Sequence, residues 1–287
     1  MGALTPAWFV NFSSKLPAAE SLDVAGADIS YRVWACPSSF SEVPLLFVHG
    51  GSANSSWWHP VIALLQGERT IATIDLSGHG LSDWRDVYSF RQWQEELAQV
   101  ATLLFPRGCV LIGHSLGGAL AAAIVAQGYP AESIILLDSD PTALSGRRFP
   151  RPEEIGRPRE FDTATEAAEA VVKHKTTWPT WVAHYVAQNS IEKAGSAWRM
   201  LRDPRVASTG LAPTPLEDFS NLPVHFIFGE ESSFALHRRS SLQPAHLPRN
   251  VTRDVLDGLG HDLLVESPAR TAATIERYLV VDQRGPA

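Results

Sequence analysis

The sequence predicts an α/β fold in which a mostly parallel eight-stranded sheet is flanked by helices. Short apolar runs alternate with helical stretches through most of the chain, which is typical of parallel strands joined by crossover helices. The alternation stops after Pro141 and resumes after Asn221, which indicates an insertion into one α/β unit. A glycine-flanked serine at 115, where a strand meets a helix, is the third feature that supports this class.

The individual elements follow from the apolar periodicity. An opening hairpin is predicted at Ser21–Val24 and Ile29–Ala35, with a glycine in its turn. Six further strands are predicted at 43–49, 71–75, 109–113, 133–138, 223–229 and 251–256. Helices are predicted near 57–66, 90–105, 116–128 and 263–280.

Residues 141–220 are the predicted insertion, and this segment is too long to be a loop in a compact domain. Pro and Arg cluster at Arg147–Pro152 and Gly156–Arg159. Helical patterns follow at about 163–175, 178–190 and 193–202. We therefore divide the chain into a core made of residues 1–140 and 221–287, and a helical insertion at 141–220.

Length and charge narrow the classes of function. With 287 residues, of which 45% are hydrophobic and 19% charged, the chain can bury a large core and is not disordered. A net charge of −7 argues against nucleic acid or an anionic membrane as partner, because both need a basic face. We expect a small-molecule substrate, and the sequence does not indicate an oligomeric state.

Location and cofactors are predicted from motifs that the sequence lacks. Cys36 and Cys109 are too few for a disulfide framework, and no apolar run reaches the roughly 18–20 residues of a membrane span. The first ten residues do not resemble a signal peptide, so we expect a cytoplasmic protein. We expect neither a metal nor a cofactor, because metal-binding and nucleotide-binding motifs are missing.

The most informative motif is Gly-x-Ser-x-Gly at 113–117, between an apolar strand and the helical run Ala119–Ala126. A serine at such a junction lies in a strained turn that exposes its hydroxyl above the sheet edge. The glycines are needed because side chains there would collide with the neighbouring strand and helix. Ser115 is therefore the candidate nucleophile, although the motif alone also fits a glycine-rich turn that contains a serine by chance.

Three further motifs stand in the order that this nucleophile requires: His49–Gly51, Asp75–Gly80, and Gly260–His261 followed by Glu266–Pro268. Together with the serine motif they resemble the α/β-hydrolase superfamily over nearly the whole chain. The resemblance implies the α/β-hydrolase fold, with residues 141–220 as a helical cap over the active site.

His261 is the candidate base. A serine hydroxyl needs a neighbouring imidazole to take its proton, and the glycine-containing loop before His261 can bring it to the sheet edge that carries Ser115. His49 and His79 belong to loop motifs and more often hold backbone, while His114 should point away from the nucleophile.

A catalytic triad also needs a carboxylate that orients the imidazole, and the sequence offers three candidates for it. In most of the superfamily it lies three residues after the glycine that here is Gly229, and Ser232 occupies that position. A serine cannot supply the negative charge. Some α/β hydrolases take the acid from the strand after the nucleophile helix, which here ends at Asp138. We prefer Asp138, with Asp140 as the second choice and Glu231 as the third; Asp138 could also bind only loop amides.

The backbone amides of Gly51 and Leu116 are the predicted oxyanion hole, because one follows the His-Gly pair and the other begins a helix. Trp58, Trp181 and Tyr185 are candidate pocket residues for an apolar substrate. The competing interpretation is that these aromatic residues only fill the core.

These residues predict a cofactor-independent serine hydrolase that cleaves a carboxylic ester or lactone of a medium-sized apolar substrate. The alternatives are hydrolysis of a carbon–carbon bond, cofactor-free perhydrolysis, or a ligand-binding member of the fold that lacks turnover. A serine nucleophile argues against haloalkane dehalogenase or epoxide hydrolase activity, which needs an attacking carboxylate.

Overall fold

The main sheet contains all eight strands that the sequence predicts. The structure is a computed structural model that describes residues 5–36, 42–65, 67, 69–142, 154–209, 213–214, 219–234, 243, 245 and 247–283. The strands of the main sheet are β1 Glu20–Asp23, β2 Asp28–Trp34, β3 Glu42–Val48, β4 Arg69–Ile74, β5 Val110–His114, β6 Ser133–Leu137, β10 Val224–Gly229 and β11 Val251–Leu256.

The strand order in this sheet is β1-β2-β4-β3-β5-β6-β10-β11. β1 pairs antiparallel with β2, and β2 pairs antiparallel with β4. The remaining neighbours are all parallel. The predicted mostly parallel eight-stranded sheet is therefore confirmed. Because parallel strands end at the same edge, the loops after β3, β5, β6, β10 and β11 meet there.

The central parallel strands are buried on both faces, as expected for parallel strands that are covered by helices. Along β3, Leu46 and Val48 belong to a core layer with α3 and α4, whereas Leu45 and Phe47 belong to the layer on the opposite face. This alternation follows from the two-residue period of a strand.

The main helices cover these two faces. Within the described part of the chain, the α-helices outside the predicted insertion are α1 Ala7–Ser13, α2 His59–Leu65, α3 Phe90–Leu104, α4 Leu116–Ala126, α7 Leu263–Glu266 and α8 Pro268–Gln283. The periodicity did not predict α1. The single helix predicted at 263–280 is interrupted before Pro268, because proline lacks the amide hydrogen that would continue the helix.

The described part of the insertion is a mixture of helices and strands. It contains β7 Glu160–Phe161, α5 Ala164–Val172, α6 Thr180–Gln188, β8 Ile191–Ala194 and β9 Ala197–Met200. The three strands form a small sheet in the order β7-β9-β8.

The helix predicted at 193–202 is wrong, because these residues form the β8–β9 hairpin. A two-residue Gly-Ser loop joins the strands, and Gly195 has a φ of +63°, which glycine adopts without strain. A Gly-Ser pair between two short runs is a hairpin signal that could have corrected the prediction.

Part of the predicted insertion lies outside the described residues. This applies to the Pro and Arg cluster at Arg147–Pro152, so the boundaries at 140/141 and 220/221 stay predictions. Within the part of the chain that the structure describes, none of the helices combines the length and apolar character that crossing a bilayer requires.

Candidate active site

Ser115 lies in a strained turn between β5 and α4. Its φ is +51° and its ψ is −114°, a backbone conformation that residues other than glycine rarely adopt. A Cβ on Gly113 would lie 2.4 Å from the Gly117 backbone, and a Cβ on Gly117 would lie 2.3 Å from the Val48 carbonyl oxygen. The glycines of the motif are therefore required by the close approach of the helix to two strands.

Two hydrogen bonds hold the backbone of this turn. The Ser115 amide donates to the carbonyl of Leu137 in β6 at 3.0 Å. The Ser139 hydroxyl donates to the Ser115 carbonyl at 2.7 Å. The sequence argument did not identify Ser139, whose position after β6 was the only available signal.

His261 lies in the loop that follows β11. Gly258 turns this loop with a φ of +66°, and the Gly260 amide donates to Glu266 Oε2 at 2.6 Å. Glu266 belongs to a motif that carried the resemblance, but the sequence had not assigned it a contact. A Cβ on Gly229 would lie 2.1 Å from the Gly260 carbonyl oxygen, so the end of β10 packs directly against this loop.

His261 pairs with Asp138, the preferred candidate acid. Its Nδ1 lies 2.5 Å from Asp138 Oδ2. Asp138 follows β6, is 1% exposed, and donates its amide to the Ile227 carbonyl at 2.8 Å. Because an ionised carboxylate only accepts hydrogen bonds, we assign the imidazole proton to Nδ1, which leaves a lone pair on Nε2.

The other two candidate acids have different surroundings. Asp140 Oδ1 accepts from the amide of Thr142 at 2.9 Å and from its hydroxyl at 2.6 Å, which closes a local turn. The Glu231 side chain is exposed, and its amide donates to the Leu259 carbonyl at 2.8 Å. Neither arrangement resembles the buried contact between Asp138 and His261.

Ser232, at the position usual for the acid, contacts Asp138. Its hydroxyl lies 2.5 Å from Asp138 Oδ2 and donates to it. The Gly229 amide lies 3.4 Å from the other carboxylate oxygen. The sequence had treated Ser232 only as a missing acid, and no local pattern indicates this contact.

The His114 side chain binds the backbone of the loop that carries His261. Its Nε2 lies 2.9 Å from the His261 carbonyl oxygen and therefore donates to it. Burial lowers the pKa of His114 to about 4, with the charge of His261 as the next cause. A neutral imidazole that already binds backbone fits the expectation that His114 is not the base.

The loop with the predicted oxyanion donor is held by His49 and His79. His49 Nδ1 lies 2.8 Å from the Gly50 carbonyl, and its Nε2 accepts from the Leu76 amide at 3.1 Å. His79 Nε2 accepts from the Ser52 amide at 3.4 Å. Burial lowers the pKa of both imidazoles, so they remain neutral and bind backbone.

Gly51 and Leu116, whose amides are the candidate oxyanion donors, are neighbours. A Cβ on Gly51 would lie 3.9 Å from Leu116 Cδ2. Gly51 is exposed, and Leu116 is the first residue of α4, where amide hydrogens lack partners inside the helix. This position suits an anionic oxygen.

The predicted pocket residues pack elsewhere. Trp58 has no exposed surface and its ring centroid lies 5.0 Å from that of Phe47, a contact within the core, so its role as a pocket residue stays a prediction. Trp181 and Tyr185 are partly buried on α6, and their rings lie 4.9 and 4.7 Å from Phe9 of α1. These contacts are those of core filling, the competing interpretation.

The insertion reaches the site through Lys175. Its Nζ lies 2.5 Å from Oδ2 of Asp262, the residue after His261. Lys175 Nζ also lies 5.6 Å from the Trp57 ring and 5.2 Å from the Trp178 ring. Asp262 is partly buried, which by itself would raise its pKa, but the facing His114 imidazole and the Lys175 ammonium lower this pKa overall, so Asp262 stays ionised.

One group of described residues has the composition of a metal site. Ligand atoms of His114, His261 and Asp262 lie within 4.8 Å of one another. A cation bound by Asp262 Oδ2 would compete with Lys175, and His114 Nε2 already binds backbone. Asp262 Oδ2 and His114 Nε2 therefore each already have a partner within the protein.

Comparison with known proteins defines the class. The sequence profile of the alpha/beta hydrolase family matches residues 45–274. The chain therefore belongs to the alpha/beta hydrolase family, in agreement with its sheet, its strained serine turn and its His–Asp pair.

Individual relatives align with only part of this chain. An esterase of Mycobacterium tuberculosis is 39% identical over 103 residues, which cover 35% of this chain and 34% of the esterase. An sn-1-specific diacylglycerol lipase of Danio rerio is 26% identical over 203 residues, which cover 62% of each protein. The chain therefore aligns with only about a third of the esterase and less than two thirds of the lipase.

A solved structure of the M. tuberculosis esterase superposes with a TM-score of 0.76 at 20% sequence identity. The match covers 96% of this chain and 98% of that chain. At this identity the likeness shows a shared fold.

Proposed function

We propose that the protein is a serine hydrolase that cleaves a carboxylic ester or lactone through an acyl-enzyme on Ser115. The observation that carries the proposal is the contact between His261 Nδ1 and the buried Asp138 Oδ2, 2.5 Å apart, at the sheet edge where Ser115 follows β5. The esterase and lipase names among its relatives support the same reaction class.

The first half of the proposed reaction uses the lone pair on His261 Nε2. The imidazole takes the Ser115 hydroxyl proton while Oγ forms a bond to the substrate carbonyl carbon. The negative charge moves to the carbonyl oxygen, where the Gly51 and Leu116 amides donate to it. Asp138 stabilises the imidazolium and keeps its Nδ1 oriented.

The second half releases both products. The imidazolium returns the proton to the leaving alkoxide, so the bond to the alcohol breaks and an acyl ester of Ser115 remains. Water then gives a proton to His261, and its oxygen attacks the acyl carbon. The Ser115 alkoxide leaves and takes the proton back, which regenerates the enzyme.

We further propose that the substrate is medium-sized and apolar and that the insertion forms a cap over the site. Phe234 is 38% exposed, and its ring lies 4.4 Å from the His261 ring. Trp57 and Trp178 lie 4.8 Å apart beside the Lys175–Asp262 contact. An apolar acyl group beside these rings would bury surface without leaving a polar group unpaired.

Ser115→Ala tests this proposal, with Ser21→Ala at an exposed strand position as the matched control. We expect turnover of p-nitrophenyl esters to fall by about 10⁴-fold or more, because the nucleophile is lost. A fluorophosphonate probe should label the parent protein and Ser21→Ala but not Ser115→Ala, as measured by intact mass. Undiminished turnover in Ser115→Ala would exclude the serine mechanism.

A substrate panel separates the alternatives. Esters of increasing acyl length and lactones of several ring sizes should be hydrolysed with a maximum at intermediate length. Tight binding of these compounds with no product would instead identify a ligand-binding member of the fold. Cleavage of β-diketones at higher kcat/KM than any ester would favour carbon–carbon hydrolysis.

A further inference from the structure

The loop after β10 reaches the buried carboxylate of Asp138 with a hydroxyl. Ser232 Oγ lies 2.5 Å from Asp138 Oδ2, the same oxygen that lies 2.5 Å from His261 Nδ1. Ser232 is 6% exposed, so little water competes for this oxygen. Two side-chain donors, from two different loops, therefore converge on one carboxylate oxygen.

The direction of the Ser232 hydroxyl follows from its own surroundings. The Phe234 amide donates to Ser232 Oγ at 3.3 Å. The carboxylate can only accept, so the hydroxyl proton is directed at Asp138. The Ser232 amide also donates to the Gly229 carbonyl at 3.2 Å, which closes the turn at the end of β10.

The same turn contacts both members of the pair. Ser232 binds Asp138, and the rings of Phe234 and His261 form a T-shaped contact with their centroids 4.4 Å apart. Gly229 allows this approach, since any side chain there would overlap the backbone before His261. The position that carries an acid in most of the superfamily thus still faces the base.

We propose that Ser232 is a positioning residue for the triad, whose hydroxyl holds Asp138 Oδ2 in line with His261 Nδ1 and weakens it as a proton acceptor. This inference rests on the proposed function, because it assigns a role within the same triad. A hydrogen bond to the charged form of a carboxylate stabilises that form. Without the hydroxyl, the carboxylate would be free to move and would attract the imidazolium more strongly.

The pH dependence provides a readout that a merely structural serine would not change. A stronger carboxylate favours the protonated imidazole, so the acid limb of kcat/KM should move to higher pH when the hydroxyl is removed. Among the described residues, the other ionisable groups near His261 are His114, Asp262 with its partner Lys175, and Glu266, which accepts from the Gly260 amide. None of them contacts Ser232 through a hydrogen bond among the described residues, so they remain constant in the comparison.

The test compares Ser232→Ala with Ser232→Thr, which keeps the hydroxyl, and with Ser233→Ala at the exposed neighbouring position. For Ser232→Ala we expect kcat to fall about 10–100-fold with KM changed less than about twofold, the size of one hydrogen bond to a charged group. The acid limb should shift upward by about 0.5–1 pH unit. Ser232→Thr should recover kcat to within about threefold of the parent protein.

An unchanged kcat and pH profile in Ser232→Ala would overturn the inference. It would also be overturned if Ser232→Ala lowered the thermal midpoint and kcat while Ser232→Thr restored only the midpoint. In either case, loss of activity in Ser115→Ala would leave the proposed function standing. Retained activity in Ser115→Ala would remove the proposed function itself.

A double variant gives an independent measurement that does not depend on the fold tolerating alanine. Asp138→Asn removes the acid, and asparagine tolerates the positive φ of +42° at this position. Adding Ser232→Asp should raise kcat at least about tenfold above Asp138→Asn, because a carboxylate then faces His261 from β10. No recovery in the double variant, with both proteins folded, would contradict the claim that position 232 is aligned with the base.

Discussion

The rim of the main sheet and the helical part of the insertion are attached to the fold in different ways. We define the rim as the loops 49–54, 75–83, 138–142 and 257–262 at the carboxyl ends of the strands. Buried side chains in the rim bind backbone amides. Asp75 accepts from the amides of Ser55 and Leu81 at 2.6 and 3.0 Å, for example.

The helical part of the insertion, residues 164–188, packs mainly through rings. The ring centroids of Trp178 and Trp57 lie 4.8 Å apart, and those of Tyr185 and Phe9 lie 4.7 Å apart. The polar contacts beside these rings include that between the Tyr185 hydroxyl and His59 Nδ1 at 2.6 Å.

The difference between these regions matters because hydrogen bonds are directional and apolar packing is not. The hydrogen bonds of the rim therefore fix the orientation of the loops that carry Asp138 and His261 and the loops beside Ser115. The helical part can shift slightly without losing its contacts. We expect substitutions in the rim to change kcat, and substitutions in the helical part to change stability or substrate preference.

The largest effect should come from Asp138→Asn in the rim. We expect kcat to fall by about 10³–10⁴-fold with little change in KM, because the amide cannot fix the tautomer or stabilise the imidazolium. Steady-state kinetics on a p-nitrophenyl ester would measure this. Asp140→Asn and Glu231→Gln are matched controls and should stay within about threefold of the parent protein. A larger loss in either control than in Asp138→Asn would reassign the acid.

The second effect concerns pH and stability. Burial lowers the pKa of His59 to about 3 and that of His114 to about 4, and it also lowers those of His49 and His79. The unfolded chain binds protons near the ordinary value of 6.5, so protons favour unfolding between that value and the folded values. The free energy of unfolding should therefore be highest above about pH 6.5 and should decrease as the pH is lowered towards 4. Urea unfolding at several pH values would measure this.

His59→Gln distinguishes the contribution of the helical part to this pH dependence from that of the rim. His59 contacts Tyr185 of the helical part, whereas the other three histidines lie in or next to the rim. We expect the slope of unfolding free energy between pH 6 and 4 to decrease by up to about 1.4 kcal/mol per pH unit. Activity at pH 7.5 should stay within about twofold. A slope identical to that of the parent protein would mean that His59 is not held neutral by burial.

The smallest effect should come from Lys175→Met, which removes the ionic contact between the helical part and the rim. The Lys175 side chain is 32% exposed, so solvent screens the pair and we expect a loss of at most about 1 kcal/mol. Turnover should change less than about threefold, and the change should shrink at high salt. Lys173→Met, at an exposed position, is the control. A tenfold loss of kcat would show that this contact positions His261.

Much of the fold and part of the site could be predicted because they depend on local patterns. The two-residue alternation in β3 predicts a strand with two buried faces. The glycines around Ser115 predict a tight turn at which a helix closely approaches the strands. The choice among Asp138, Asp140 and Glu231 could not be made in this way. All three lie near strand ends, and only the packing of β6 against β10 shows which carboxylate is buried against His261.

Aromatic residues were the least predictable. Trp58 and Trp178 look equivalent in sequence, yet Trp58 packs on Phe47 inside the core while Trp178 meets Trp57 from the insertion. An indole ring can be buried against almost any apolar surface, so its sequence context does not specify a partner.

Local sequence patterns were enough to specify the sheet, the strained turn at Ser115 and the candidate base His261, because strand periodicity and glycine sterics act over a few neighbouring residues. The contact of Asp138 with His261, and the hydrogen bond that Ser232 donates to the same carboxylate, follow from the packing of distant segments. These contacts join residues more than 90 positions apart, and a buried charge is stable only where donors from distant segments converge on it.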